Sequence, residues 1–291
     1  MNTSLIHREI ILVNLHGKKY PITIEGTGIP VLVMGTGNLV LNSLSAKFKQ
    51  HFKVYATELY FDARYALQDR NSLTLDNMLD DIKNLAETLG LSNYLIFGFS
   101  AFGIVALEFA KKYPHHAAGF IMAGTPLNSN QEVALQNNKI FQQYAHPQRK
   151  ILDAERRELL AQEDLSSLEF HQKFLREYTY GASPRYWHQA DFDCTLLWQG
   201  IVLDEVLEHF FASIIPGVDV KEELETIQEP IFFAAGLSDY DCCPAQAWGA
   251  LKNKPPHMVL SIFEQSGHYP QYEESELFDN RVLAWARENF S

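Results

Sequence analysis

Short apolar runs alternate with helical segments along most of this chain, and that alternation leaves few folds open. "PVLVMGTG" reads as a buried strand entering a glycine-rich turn, followed by a helix from about Leu41 to Gln50. The strand "KVYATEL" and the helix "LDNMLDDIKNLAETLG", closed by Gly90, come next. The strand Tyr94–Phe97, a helix from Ala101 to the stop at Pro114, and "AAGFIMAGTP" continue the rhythm. Strands separated by helices of about ten to fifteen residues are joined by right-handed crossovers, which predicts an α/β fold with a mostly parallel sheet flanked by helices. "REIILVNL" and "KKYPITIEG" add an opening hairpin across His16–Gly17.

The rhythm stops after Pro126. No glycine occurs from Leu127 to Tyr180, and segments such as "NKIFQQYA", "LEFHQKFLREYTYG" and "DEVLEHFFASII" are helical and aromatic. Strands resume at "EPIFFAAGLSDYD" and "HMVLSIFEQSGH", bringing the count to eight, and the helix "SELFDNRVLAWARENF" follows. An insertion between two halves of one sheet explains this with the fewest elements. Residues 1–126 and 229–291 form the core domain, and 127–228 a helical cap after the sixth strand.

Composition excludes several functions. A formal charge of −12, with no run of Lys/Arg longer than a pair, argues against nucleic acid as a partner. No stretch is long and apolar enough for a transmembrane helix, and Arg8 and Glu9 interrupt the amino-terminal apolar stretch, so it reads as a strand and not as a signal peptide. Three cysteines, Cys194, Cys242 and Cys243, make a poor disulfide framework and lack zinc spacing, which fits a cytoplasmic protein with no metal. A monomer or a homodimer fits equally.

One polar side chain stands out. In "FGFSAFG" Ser100 lies where a strand becomes a helix, two residues after Gly98 and three before Gly103. Such a corner is a nucleophile elbow, which pushes the hydroxyl out at the carboxyl end of the sheet. Phe102 stands where the pattern G-x-S-x-G has its second glycine. An ordinary hydroxyl is a weak nucleophile, so it needs a base and a third group that orients the base. Both occur past later strands: Asp239 three residues after Gly236, and His268 in Gly267-His268. The order Ser100, Asp239, His268 matches a known triad order. Asp241 is a rival for the acid, and Asp239 a candidate turn residue. The backbone N–H groups of Thr36, in "MGTGN", and of Ala101 are placed to bind an oxyanion.

Phe99, Phe102, Trp187 and Trp198 are candidate substrate contacts, although aromatic residues of an insertion more often pack it onto the sheet. Cys242–Cys243 read as small buried hydrophobes, and His115–His116 as a surface turn.

The segments "VMGTGN", "FGFSAFGIVALEFAKKYP", "PRYWHQADFDCTLLWQG", "GLSDYDCCPAQAW" and "SGHYPQYEESELFD" together resemble the α/β-hydrolase fold proteins of the proline iminopeptidase-like group, over nearly the whole chain. That resemblance implies Ser100 as nucleophile, Asp239 as acid, His268 as base and Thr36 with Ala101 as oxyanion amides, with no cofactor. It also implies a small-molecule substrate, an ester or an amide. Met34 and Asn38 replace a histidine and a glycine of the usual turn, and Glu58 with "YFDAR" stands where an aspartate and a glycine loop are usual. An aminopeptidase of this group needs acidic cap residues, for which Glu177, Asp191, Asp193, Asp204 and Glu205 are candidates. The alternative to an enzyme is a ligand receptor that keeps the same pocket with little turnover.

Overall fold

His16 and Gly17 both take positive φ, 51° and 78°, and turn β1 (Arg8–Leu15) back onto β2 (Lys18–Glu25) in the expected hairpin. The computed structural model describes residues 7–33, 35–65, 72–127, 131–216, 218–220, 224–249 and 254–290; Met34 lies outside them. β3 (Ile29–Val33) and β4 (Phe52–Ala56) pair in parallel, and β2 joins β4 antiparallel. β5 (Leu95–Phe99), β6 (Gly119–Ala123), β7 (Ile231–Gly236) and β8 (Met258–Phe263) extend the parallel part. The eight strands run in the order β1-β2-β4-β3-β5-β6-β7-β8. β5, β6 and β7 are buried at every position, so both faces are covered and their sequences are apolar without alternation.

Between β3 and β4 the expected single helix is two: α1 (Gly37–Ser43) and α2 (Ala46–His51). Leu44 is extended, and the Ser45 side chain accepts the Phe48 N–H at 3.0 Å, starting a new helix where the first ends. Ser45 Oγ also donates to Asp279 at 2.5 Å, on the carboxyl-terminal helix Ser275–Phe290. That helix buries Phe278 and Trp285 against Phe232 of β7. α3 (Leu75–Thr88) starts from Thr74, whose hydroxyl accepts the Asn77 N–H, and α4 (Phe102–Lys112) leaves β5 through Ser100.

A helical insert follows β6. It holds α5 (Gln131–Tyr144), α6 (Pro147–Gln162), α7 (Phe170–Leu175), a π-helical turn Arg176–Gly181, α8 (Ser183–Tyr186) and α9 (Val206–His209), which runs into a second π-helical turn at Phe210–Ile214. Backbone bonds from Ala63 to Val202 O and from Asp204 to Phe61 O, both 2.9 Å, tie the insert to the core. Trp187 stacks on Tyr269 with centroids 4.4 Å apart, a buried contact between the insert and the loop after β8. No helix among the described residues is long and apolar enough to cross a membrane.

β5 and α4 meet too closely for side chains. A Cβ on Gly98 would lie 2.6 Å from Gly103 Cα, and one on Gly103 would lie 1.9 Å from Thr125 Oγ1. Gly103→Ala is therefore expected to cost about 1–3 kcal/mol in urea unfolding, with part recovered when Thr125→Ala is added. An unchanged urea midpoint in the single variant would show that the corner yields.

Candidate active site

Ser100 is a non-glycine residue at φ 53°, a left-handed conformation that costs on the order of 1 kcal/mol. Two backbone bonds hold it there: Ser100 N–H to Ala123 O at 2.9 Å, and Gly103 N–H to Ser100 O at 3.0 Å. The corner leaves the side chain half-buried at the carboxyl end of the sheet, with Oγ 3.5 Å from Cys242 Sγ.

Asp239 follows β7 and His268 follows β8, and both are buried. Asp239 Oδ2 accepts His268 Nδ1–H at 2.6 Å, which leaves Nε2 as the lone-pair nitrogen. Its Oδ1 accepts the N–H of Cys242 at 3.0 Å and of Asp241 at 3.3 Å. The imidazole is walled by Phe99, Tyr186 and Tyr269, with centroids 4.9, 5.0 and 5.4 Å away. Asp241 points elsewhere, 3.7 Å from Arg185.

Thr36 caps α1 and Ala101 precedes α4. Both amides stand at helix starts, and both residues line the cavity at Ser100. Glu58, at the end of β4, accepts the Asn38 N–H at 2.7 Å and so pins the first turn of α1. Burial pushes its carboxyl up to about 8, with the Asp62 charge adding to the shift against the bonds from Asn38, and among the described residues Oε2 has no partner.

Ser100 opens into a cavity of about 50 Å³ shared with Thr36, Ala101, Phe99, Phe102 and Trp198, and no residue lining it is charged. Trp187 is not in that wall. An adjoining chamber of about 170 Å³ shares Phe174, Leu207 and Phe211 and carries Lys173, Glu177 and Glu208. Of the other acids of the insert, Asp191, Asp193 and Glu205 are exposed, with Asp193 accepting from Thr195, while buried Asp204 accepts the Val206 N–H. Among the described residues no group of three His, Cys, Asp or Glu is placed to hold a metal.

Sequence reasoning took Cys242 for packing. Its position three residues after Asp239 was the available signal, because a loop wrapping a carboxylate to give it N–H donors turns the next side chains toward the same site.

A sequence profile described as the alpha/beta hydrolase fold matches residues 42–275. The AB hydrolase superfamily protein YclE of Bacillus subtilis (strain 168) is 28% identical over 214 residues, 72% of this chain and 74% of its own. An alpha/beta fold family hydrolase from Bacillus anthracis str. Sterne superposes with a TM-score of 0.71 at 19% identity, over 96% of this chain and 99% of that one. The proline iminopeptidase of Mycobacterium smegmatis gives 0.68 at 15%, over 97% and 98%. Identities this low speak to the fold alone.

Glu58 supplies a pH prediction. Its folded value, about 8, lies above the ordinary 4.5, so the native state holds a proton that the unfolded chain releases between them. Its contribution to stability is therefore complete below about pH 4.5 and lost as pH rises through about 8. Against Glu58→Gln, which has no such proton, the wild type should lose a few kcal/mol over that range, on the order set by about 1.4 kcal/mol per unit. Urea titrations at pH 5 and 9 with parallel losses for both proteins would remove this role.

Proposed function

The chain belongs to the α/β-hydrolase fold family, and from that premise we propose that it is a serine hydrolase that cleaves a small-molecule ester or amide through an acyl-enzyme on Ser100. The observation that carries this reading is the buried 2.6 Å bond between Asp239 and His268, together with a serine on a left-handed corner whose Oγ lies 3.5 Å from Cys242 of the Asp239 loop. Ser100 Oγ turns from Cys242 toward His268 Nε2, gives up its proton and attacks the carbonyl carbon. Asp239 keeps the imidazole in the required tautomer and stabilises its cation. The Thr36 and Ala101 amides receive the oxyanion, at about 3 kcal/mol per donor. His268 then protonates the leaving group, and water resolves the acyl-enzyme by the same steps in reverse. Residues 127–228 act as the cap over this site.

The uncharged wall around Ser100 favours an apolar, uncharged acyl group. Among the described residues a free α-amino group on the acyl part has no carboxylate to meet in the cavity at Ser100, since Glu177 and Glu208 line only the adjoining chamber. Esters are thus preferred over aminoacyl amides. The receptor alternative draws on the Ser100 hydroxyl resting on a thiol.

A panel of p-nitrophenyl esters of graded chain length beside aminoacyl-p-nitroanilides tests the proposal. Hydrolysis of the esters is expected to fall by about 10⁴-fold or more in Ser100→Ala. No turnover of any member, together with no labelling by a fluorophosphonate, would favour the receptor.

A further inference from the structure

The cap segment at the end of α8 touches both loops that carry the acid and the base. Arg185 O accepts the N–H of Tyr240, the residue after Asp239, at 2.9 Å, and Tyr186 O accepts the N–H of His268 itself at 2.5 Å. The fit at this seam is tight, since a Cβ on Gly267 would lie 2.0 Å from Tyr186 O. Glu273 closes the third link. Its Oε1 accepts the Gly267 N–H and its Oε2 the His188 N–H, each at 2.7 Å. One carboxylate thus joins the residue before the imidazole to the cap.

We propose that Glu273 is a positioning residue, a two-sided clamp that makes the placement of His268 conditional on a seated cap. Its catalytic consequence rests on the serine-hydrolase reading, whereas the clamp itself does not. Glu273 acts through Gly267: one carboxyl oxygen accepts the Gly267 N–H and the other the His188 N–H, with the Tyr269 N–H as a further donor on the His268 side. Two separate N–H donors need an acceptor at each oxygen, which only a carboxylate supplies. Glutamine keeps one acceptor and turns an NH₂ toward the other donor.

The charged and titratable groups around the clamp are Arg149 of α6, Asp239 after β7, His188 of the cap and the Tyr269 phenol. Arg149 also donates to Pro184 O at 2.8 Å and Trp187 O at 2.6 Å, which holds the cap segment from its other side. Burial pushes the Glu273 carboxyl up to about 7, against the lowering effect of its bonds from the His188, Gly267 and Tyr269 N–H groups, with the Asp239 charge adding to the rise. Protonation removes one acceptor, so the clamp is tight above about pH 7 and slackens below it.

The test uses the full chain and a fluorophosphonate probe for Ser100. Glu273→Gln is expected to slow labelling by about 10-fold and Glu273→Ala by about 100-fold, with one label per chain at completion and KM for a p-nitrophenyl ester little changed. The difference between wild type and Glu273→Gln should narrow below pH 7. Reduced stoichiometry at an unchanged rate would mean lost folding and overturn the proposal. Amide hydrogen exchange gives the readout that needs no activity: the His188 and Gly267 amides should both exchange slowly in the wild type and accelerate together in Glu273→Ala. Acceleration at Gly267 alone overturns the clamp. If wild-type Ser100 takes no label at all, the hydrolase reading fails and the exchange result decides the clamp by itself.

Discussion

A carboxylate with no exposure to water must find donors for both of its oxygens, and in this molecule that requirement falls on Asp239. One oxygen is met by the imidazole of His268, and the other by two successive N–H groups of its own loop. The loop therefore curls around the carboxylate, and the curl leaves the thiol of Cys242 against Ser100. The site is in this sense a consequence of satisfying one buried charge at the edge of a parallel sheet. The strand ends do the rest, because β5, β7 and β8 finish on the same side and present their loops to one another.

What the sequence made legible was local. The eight strands, the hairpin turn, the corner at Ser100 and the loops bearing Asp239 and His268 all follow from periodicity and glycine placement within a few residues. What it hid was long-range. The break between α1 and α2 depends on Ser45, which both caps a helix and bonds Asp279, 234 positions away. Trp187 reads as a substrate contact until its stacking partner, Tyr269, is known. Glu58 stands where the resemblance expects an aspartate, but its bond to Asn38 crosses from one strand end to the next and no spacing announces it. The Glu273 bridge has the same character, joining backbone groups that belong to different parts of the fold.

The helical insert has two chemical faces. Its inner aromatic residues, Phe174, Tyr178 and Trp198, pack edge and face against one another and give the Ser100 cavity an apolar roof. The adjoining chamber adds the charges of Lys173, Glu177 and Glu208.

The contact between the Ser100 hydroxyl and the Cys242 thiol has a kinetic meaning of its own. Leaving it takes rotation about one single bond, a step of picoseconds to nanoseconds for an accessible side chain, while enzymes commonly turn over about 1–10³ times a second. The sulfur therefore imposes no delay. For the acyl transfer proposed above it sets an occupancy, and each 1.4 kcal/mol by which the resting orientation is preferred divides the attack-ready population about tenfold.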